Sequence, residues 1–275
     1  MSWHIGRLAP FDLETTGKDP QEARIVEAYV GYVGGGLNPI DRQPLLVDPG
    51  IEIPTEATAI HGYTGEYLRE HGTPADAAVW TIANAVADAV NERIPLVGHR
   101  ISYDLTVLSR ELARHDLPSL EDMTARTGGL AGAVIDTYVL SKYVDRWRRR
   151  VSDEQGPHTL KTCAQVFKVG WADEDAHGAR YDALVAARVA WRMGTIAHLP
   201  REQRPRLSGR SDNRHLFDDL AVDLPTLYAN QQRWAAEQAA SYQEWLRSPK
   251  AGEKRDPNAV ISTAWPIQAA PVPSP

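Results

Sequence analysis

The sequence predicts an α/β fold on one mixed sheet flanked by helices, with a C-terminal helical extension. Three observations lead there. Residues 5–47 hold three apolar runs separated by turn residues, the pattern of an antiparallel meander. Residues 73–196 alternate short apolar runs with segments of helical periodicity, the pattern of strands joined by helices. The 275 residues are 43% hydrophobic and 24% charged, which suits one globular domain plus an extension.

The first strand is expected over residues 5–13. Pro10 lacks an amide donor, so a bulge there, or a ladder starting only at Phe11, is expected. Ile25, Val26, Ala28, Tyr29 and Val30 mark a second strand, ended by three glycines, and Leu45-Leu46-Val47 a third. Thr73 and Pro74 read as the N-cap and first residue of a helix carrying Val79, Ile82, Ala83, Val86 and Val90 on one face. A short buried strand at residues 95–99 leads to a helix capped by Ser102. Val134-Ile135 leads to one capped by Asp136. Residues 159–166 and 181–196 complete the helices, with Leu160, Cys163 and Ala164 inward in the first of these.

The character changes near Leu199. Residues 1–199 form the predicted main domain. Residues 200–224, with Arg201, Arg204, Arg206, Arg210 and Arg214, read as a linker, and 225–250 as a helical extension. Residues 251–275 are rich in Pro and Ala and are expected to be irregular or disordered. The extension helix either packs back on the main domain, the favoured reading, or docks a partner.

Composition narrows function. A net charge of −6 argues against indiscriminate binding of polyanions and leaves that task to local basic patches. The single cysteine, Cys163, permits no internal disulfide and fits a reducing compartment. The first residues lack the basic-then-apolar pattern of a signal peptide, and no run of about 18 apolar residues predicts a membrane span, so the cytoplasm is the default location.

The chemistry centres on Phe11-Asp12-Leu13-Glu14-Thr15-Thr16-Gly17. On a strand Asp12 and Glu14 share one face, and two like charges there invite a hard divalent cation; alone they could be solvated acids near a turn. Asp104 and Asp182 stand in the first turns of predicted helices, where capping by the helix dipole would also favour them. His177 sits five residues before Asp182, and an imidazole beside metal-bound carboxylates makes a good general base.

Three segments then resemble the motifs of the DEDDh (DnaQ-like) 3′→5′ exonuclease family, which includes bacterial proofreading subunits. They are Asp12-Leu13-Glu14-Thr15-Thr16-Gly17, Gly98-His99-Arg100-Ile101-Ser102-Tyr103-Asp104 and His177-Gly178-Ala179-Arg180-Tyr181-Asp182-Ala183. Ala59-Ile60-His61-Gly62, Asp136-Thr137 and Thr159-Leu160 resemble further family elements. The resemblance implies a ribonuclease H-like sheet of five strands, three antiparallel and two parallel. It implies a site of Asp12, Glu14, Asp104 and Asp182 holding two Mg²⁺ or Mn²⁺ ions about 3.5–4 Å apart, with His177 as general base. It implies release of nucleoside 5′-monophosphates from a 3′ end, with single-stranded or frayed DNA the leading substrate and RNA the alternative, and with Thr15, Thr16, Ile60 and His61 near the terminal nucleotide. Two departures stand out: Pro10 replaces a β-former, and Arg100 replaces a common Asn, where it could touch phosphate or pair with Asp104. Arg146, Arg148, Arg149 and Arg150 around Trp147 are candidate phosphate contacts, with Trp147 either stacking a base or packing in the core. A different-class alternative is a nuclease-fold binding module in a replication or repair complex; a third is cleavage of a nucleotide-linked small molecule.

Overall fold

The computed structural model describes residues 2–152, 155–174, 176, 178–207 and 212–270. The strands are β1 (Arg7–Thr15), β2 (Ile25–Val30), β3 (Val33–Gly34), β4 (Leu45–Asp48), β5 (Thr73–Pro74), β6 (Leu96–Gly98) and β7 (Val134–Asp136). The main helices are α1 (Thr55–His61), α2 (Gly65–His71), α3 (Ala75–Asn91), α4 (Ile101–Arg114), α5 (Leu120–Thr124), α6 (Thr137–Val144), α7 (Leu160–Phe167), α8 (Ala179–Ala197) and α9 (Leu224–Arg247).

The sheet order is β5-β4-β2-β1-β6-β7, with β3 beside β1. β1, β2 and β4 are antiparallel, and β6 and β7 run parallel to β1. That is the expected mixed sheet of five principal strands. Thr73 and Pro74 form a short edge strand on β4 instead of opening α3, which starts at Ala75.

Pro10 does not bulge the central strand. β1 starts at Arg7 and runs through Pro10, while its ladder to β2 starts at Phe11, paired with Val30. The Pro10 carbonyl accepts the Gly31 N–H at 3.1 Å. The reciprocal bond, which proline cannot donate, falls in the gap between β2 and β3. The register irregularity lies further on, between Glu14 and Thr15.

Period-2 alternation splits the faces of β1. Phe11 and Leu13 are buried on one face, while Asp12 and Glu14 are half-buried on the other. α8 packs against β1, β2 and β6. Its Ala179, Ala183, Ala186, Ala187 and Ala190 are buried, and such small side chains let the helix lie close to the sheet.

The C-terminal part shares this core. Phe217 and Leu220, in the stretch expected as a linker, are fully buried with Leu227 and Trp234 of α9. Arg204 is buried too; it donates to the carbonyls of Ala197, Leu199 and Arg214 and pairs with Asp218. Arg201 also pairs with Asp218 and Arg214 with Asp212, while Arg210 lies outside the described residues. α9 covers the open edge of β7: Gln231 accepts the Asp136 N–H at 2.7 Å and donates to the Val134 carbonyl at 3.0 Å. An uncovered edge would leave those groups exposed to stray pairing.

Of the stretch expected to be irregular or disordered, Ala251 to Lys254 belong to a short 3-10 segment, residues 255–270 form neither helix nor strand, and 271–275 lie outside the described residues. Trp265 is 7% exposed, and Gln268 bonds Thr106 and Arg110 through its backbone. Trp265→Ala is expected to cost about 3–5 kcal/mol. Thermal melting checks this, with a fall on the order of 10 °C. Among the described residues no helix is long and apolar enough to cross a membrane.

Candidate active site

Two elements converge on one side of the sheet. β1 brings Asp12 and Glu14, and the first turn of α8 brings Asp182. One carboxylate oxygen from each lies within 4.8 Å of the others. All three residues are half-buried, so their charge is poorly dispersed by water.

Asp104 stands beside this trio without joining it. β6 ends at Gly98, leaving the Leu13 N–H of the longer β1 without a strand partner, and Asp104 Oδ1 accepts it at 3.2 Å. The close crossing needs Gly98: a Cβ there would lie 2.9 Å from the Phe11 carbonyl oxygen and 3.0 Å from Ile101 Cβ. α4 starts at Ile101, and its N-cap is Arg100 with φ of 65°, so Ser102 is not the cap.

The electrostatics follow from crowding. Burial, then Asp104, Glu14, Asp182 and Glu27, raise the Asp12 carboxyl well above the usual range. Burial, then Asp182, Glu27 and Asp104, push Glu14 up to about 9. Burial foremost also raises Asp104 well above its ordinary value. This is a donor set of hard oxygens whose negative charge needs an outside cation, which fits Mg²⁺ or Mn²⁺ better than a soft metal.

His177 lies outside the described residues. Of the residues expected near a terminal nucleotide, Thr15 Oγ1 meets the Tyr103 hydroxyl at 2.6 Å and donates to the Gly17 carbonyl at 3.0 Å. Thr16 is buried, and its hydroxyl accepts the Arg24 N–H at 3.0 Å, which is turn chemistry. Ile60 is 50% exposed at the end of α1. Its neighbour His61 accepts the Tyr63 N–H at 3.1 Å and stacks on the Tyr63 ring.

Arg100 forms no ion pair with Asp104. Its N–H donates to Asp136 at 3.0 Å and its guanidinium lies 4.3 Å from the Tyr138 ring centroid. The arginine cluster divides. Arg148 is internal, pairing with Asp145 at 2.9 Å and donating to Ser141 and to the Pro157 carbonyl. Arg146, Arg149 and Arg150 are on the surface. Trp147 is 67% exposed with Arg146 over its ring, so it is not a core residue.

Sequence reasoning missed Glu27. It is directly opposite Glu14 in the β1–β2 ladder and 4% exposed. Its signal was a lone acid inside the apolar run Ile25, Val26, Ala28, Tyr29, Val30. Tyr103 was also missed; it ties α4 to the turn after β1 through Thr15 and the Gly17 carbonyl.

The chain resembles known exonucleases in sequence and in fold. The RNase T-type exonuclease family matches residues 10–190. The DNA polymerase III subunit epsilon of Rickettsia conorii is 30% identical over 186 residues, which are 65% of this chain and 69% of that protein. The PolC-type DNA polymerase III of Streptococcus pyogenes is 26% identical over 189 residues, which are 69% of this chain but only 11% of that one. Escherichia coli exonuclease I, solved with a dT13 oligonucleotide, superposes with a TM-score of 0.55 at 16% identity, over 69% of this chain and 41% of that one. Exonuclease I from Methylocaldum szegediense superposes at 0.55 with 21% identity, over 86% and 45%. At such identities the two structures bear on the fold alone.

Proposed function

The chain belongs to the exonuclease family, and from that membership we propose that it hydrolyses single-stranded or frayed DNA from the 3′ end, releasing nucleoside 5′-monophosphates with divalent metal. The observation that carries this is the trio Asp12, Glu14 and Asp182, with one oxygen of each within 4.8 Å of the others.

Asp12, Glu14 and Asp182 would hold Mg²⁺ or Mn²⁺, and Asp104 would act on a second ion directly or through water. Divalent metal held by these carboxylates would supply a lowered pKa for the attacking water and positive charge beside the departing 3′ oxygen. The chain's own residues do the rest. His177, from the third motif, takes the proton of the attacking water. Thr15, steadied by Tyr103, and Ile60 with His61 flank the terminal nucleotide. The exposed Arg146 and Arg149 attract phosphates further along the strand, a contact weakened by salt.

A DNA substrate is supported by the polymerase III epsilon relative, which also favours work within a replication or repair assembly. The test is degradation of matched 5′-labelled DNA and RNA oligonucleotides with Mg²⁺ or Mn²⁺. Faster shortening of DNA is expected. Faster shortening of RNA would make the protein an exoribonuclease of the same family, and binding without cleavage would make it a binding module.

A further inference from the structure

We propose that Glu27 is a positioning residue, a cap supplied by β2 that locks the N-terminus of α8, and with it Asp182, in register with Glu14. The inference rests on the reading of Asp12, Glu14 and Asp182 as a divalent-cation site.

α8 begins without a cap of its own. Gly178 occupies the N-cap position and has no side chain to accept the orphan N–H groups of the first turn. Glu27 supplies the missing acceptor from another element: its Oε2 accepts the Ala179 N–H at 2.8 Å. A carboxylate at a helix N-terminus is also favoured by the helix dipole. The second oxygen, Oε1, accepts the Tyr63 hydroxyl at 2.5 Å. Both oxygens are thus engaged, and Glu27 is absent from the trio whose oxygens cluster.

The geometry makes this tie specific. Glu27 pairs across the ladder with Glu14, and every residue of β2 is buried, so the carboxylate has little room to move. Ala179 and Asp182 are three apart on one helix and therefore on the same face. Fixing Ala179 against β2 fixes the height and rotation of Asp182 against β1. Through Tyr63, stacked on His61, the same carboxylate anchors the segment proposed to flank the terminal nucleotide. Burying an acid is costly, and an apolar residue would suit the strand better, so retaining one here points to the two donors that it receives.

The test uses full-length protein with Mn²⁺ affinity read by electron paramagnetic resonance, and turnover of the p-nitrophenyl ester of thymidine 5′-monophosphate. Glu27→Ala is expected to weaken Mn²⁺ binding and lower kcat, each by roughly 10–100-fold. Glu27→Gln keeps an acceptor for the Ala179 N–H while its amide donates to Tyr63, so it should stay within about threefold of wild type. Gly178→Ser in the Glu27→Ala background offers a local cap; it should recover melting temperature but leave Mn²⁺ affinity low. Wild-type affinity in Glu27→Ala overturns the proposal. So does a Glu27→Gln variant as weak as Glu27→Ala, which would assign the effect to charge, and so does a Gly178→Ser variant that restores affinity together with stability. Wild-type protein that binds no Mn²⁺ and leaves the ester intact overturns the cation-site reading itself, and this assignment with it.

Discussion

Asp12→Asn is expected to lower exonuclease turnover by at least ~10²–10³-fold, the scale of losing one charge-stabilising group in a water-poor site. The same change should make the metal-free protein more stable. Asp12 is raised by burial and by four neighbouring carboxyls, so removing its charge relieves repulsion rather than breaking a bond. Steady-state kinetics and thermal melting of one variant therefore move in opposite directions. That opposition is the mark of a site kept for function at a cost in stability. An ordinary structural acid would lose both together.

The metal-free protein should lose stability as pH rises, and divalent cation should restore it. The sign follows from Glu14. Its folded pKa is about 9 against an ordinary value of 4.5, so between these pH values the folded state holds more protons than the unfolded chain. Stability then falls with rising pH across that window, and Asp12 and Asp104, also raised, act in the same direction. Mn²⁺ at a hundred times its dissociation constant would contribute about 2.7 kcal/mol. At roughly 2–4 °C per kcal/mol, this raises the melting temperature by about 5–10 °C. The gain should be largest near pH 8 and small near pH 5, where protons compete for the same oxygens. Melting curves with EDTA and with Mn²⁺ across this range check it. A metal-free melting temperature that climbs with pH, or no response to Mn²⁺, would contradict it.

Much of this architecture is written in local pattern. The period-2 runs of β1 and β2 and the helical spacing of α3 are properties of a few adjacent residues, so the mixed α/β character of the sheet and the shared face of Asp12 and Glu14 could be read directly. Asp136 as a cap was legible for the same reason: its side chain accepts the Tyr138 and Val139 N–H groups two and three residues on. What escaped depends on partners distant in sequence. Pro10 is tolerated because β2 and β3 break opposite it, which no feature of residues 5–13 reveals. Gln231 is one polar residue within the predicted extension helix, and its role exists only because β7 has an open edge there. Arg204, placed in the linker, and Arg148, a candidate phosphate contact, fold inward onto carbonyls and aspartates. Glu27 escaped because a buried acid is meaningful only once Ala179 and Tyr63, far away in the chain, are seen to donate to it.

The most direct test is product analysis on a 5′-labelled single-stranded DNA in Mg²⁺. A label that remains on strands shortened one nucleotide at a time, accompanied by nucleoside 5′-monophosphates and halted by EDTA, is the predicted result. Internal fragments, early release of the labelled 5′ nucleotide, or degradation that continues in EDTA would contradict it.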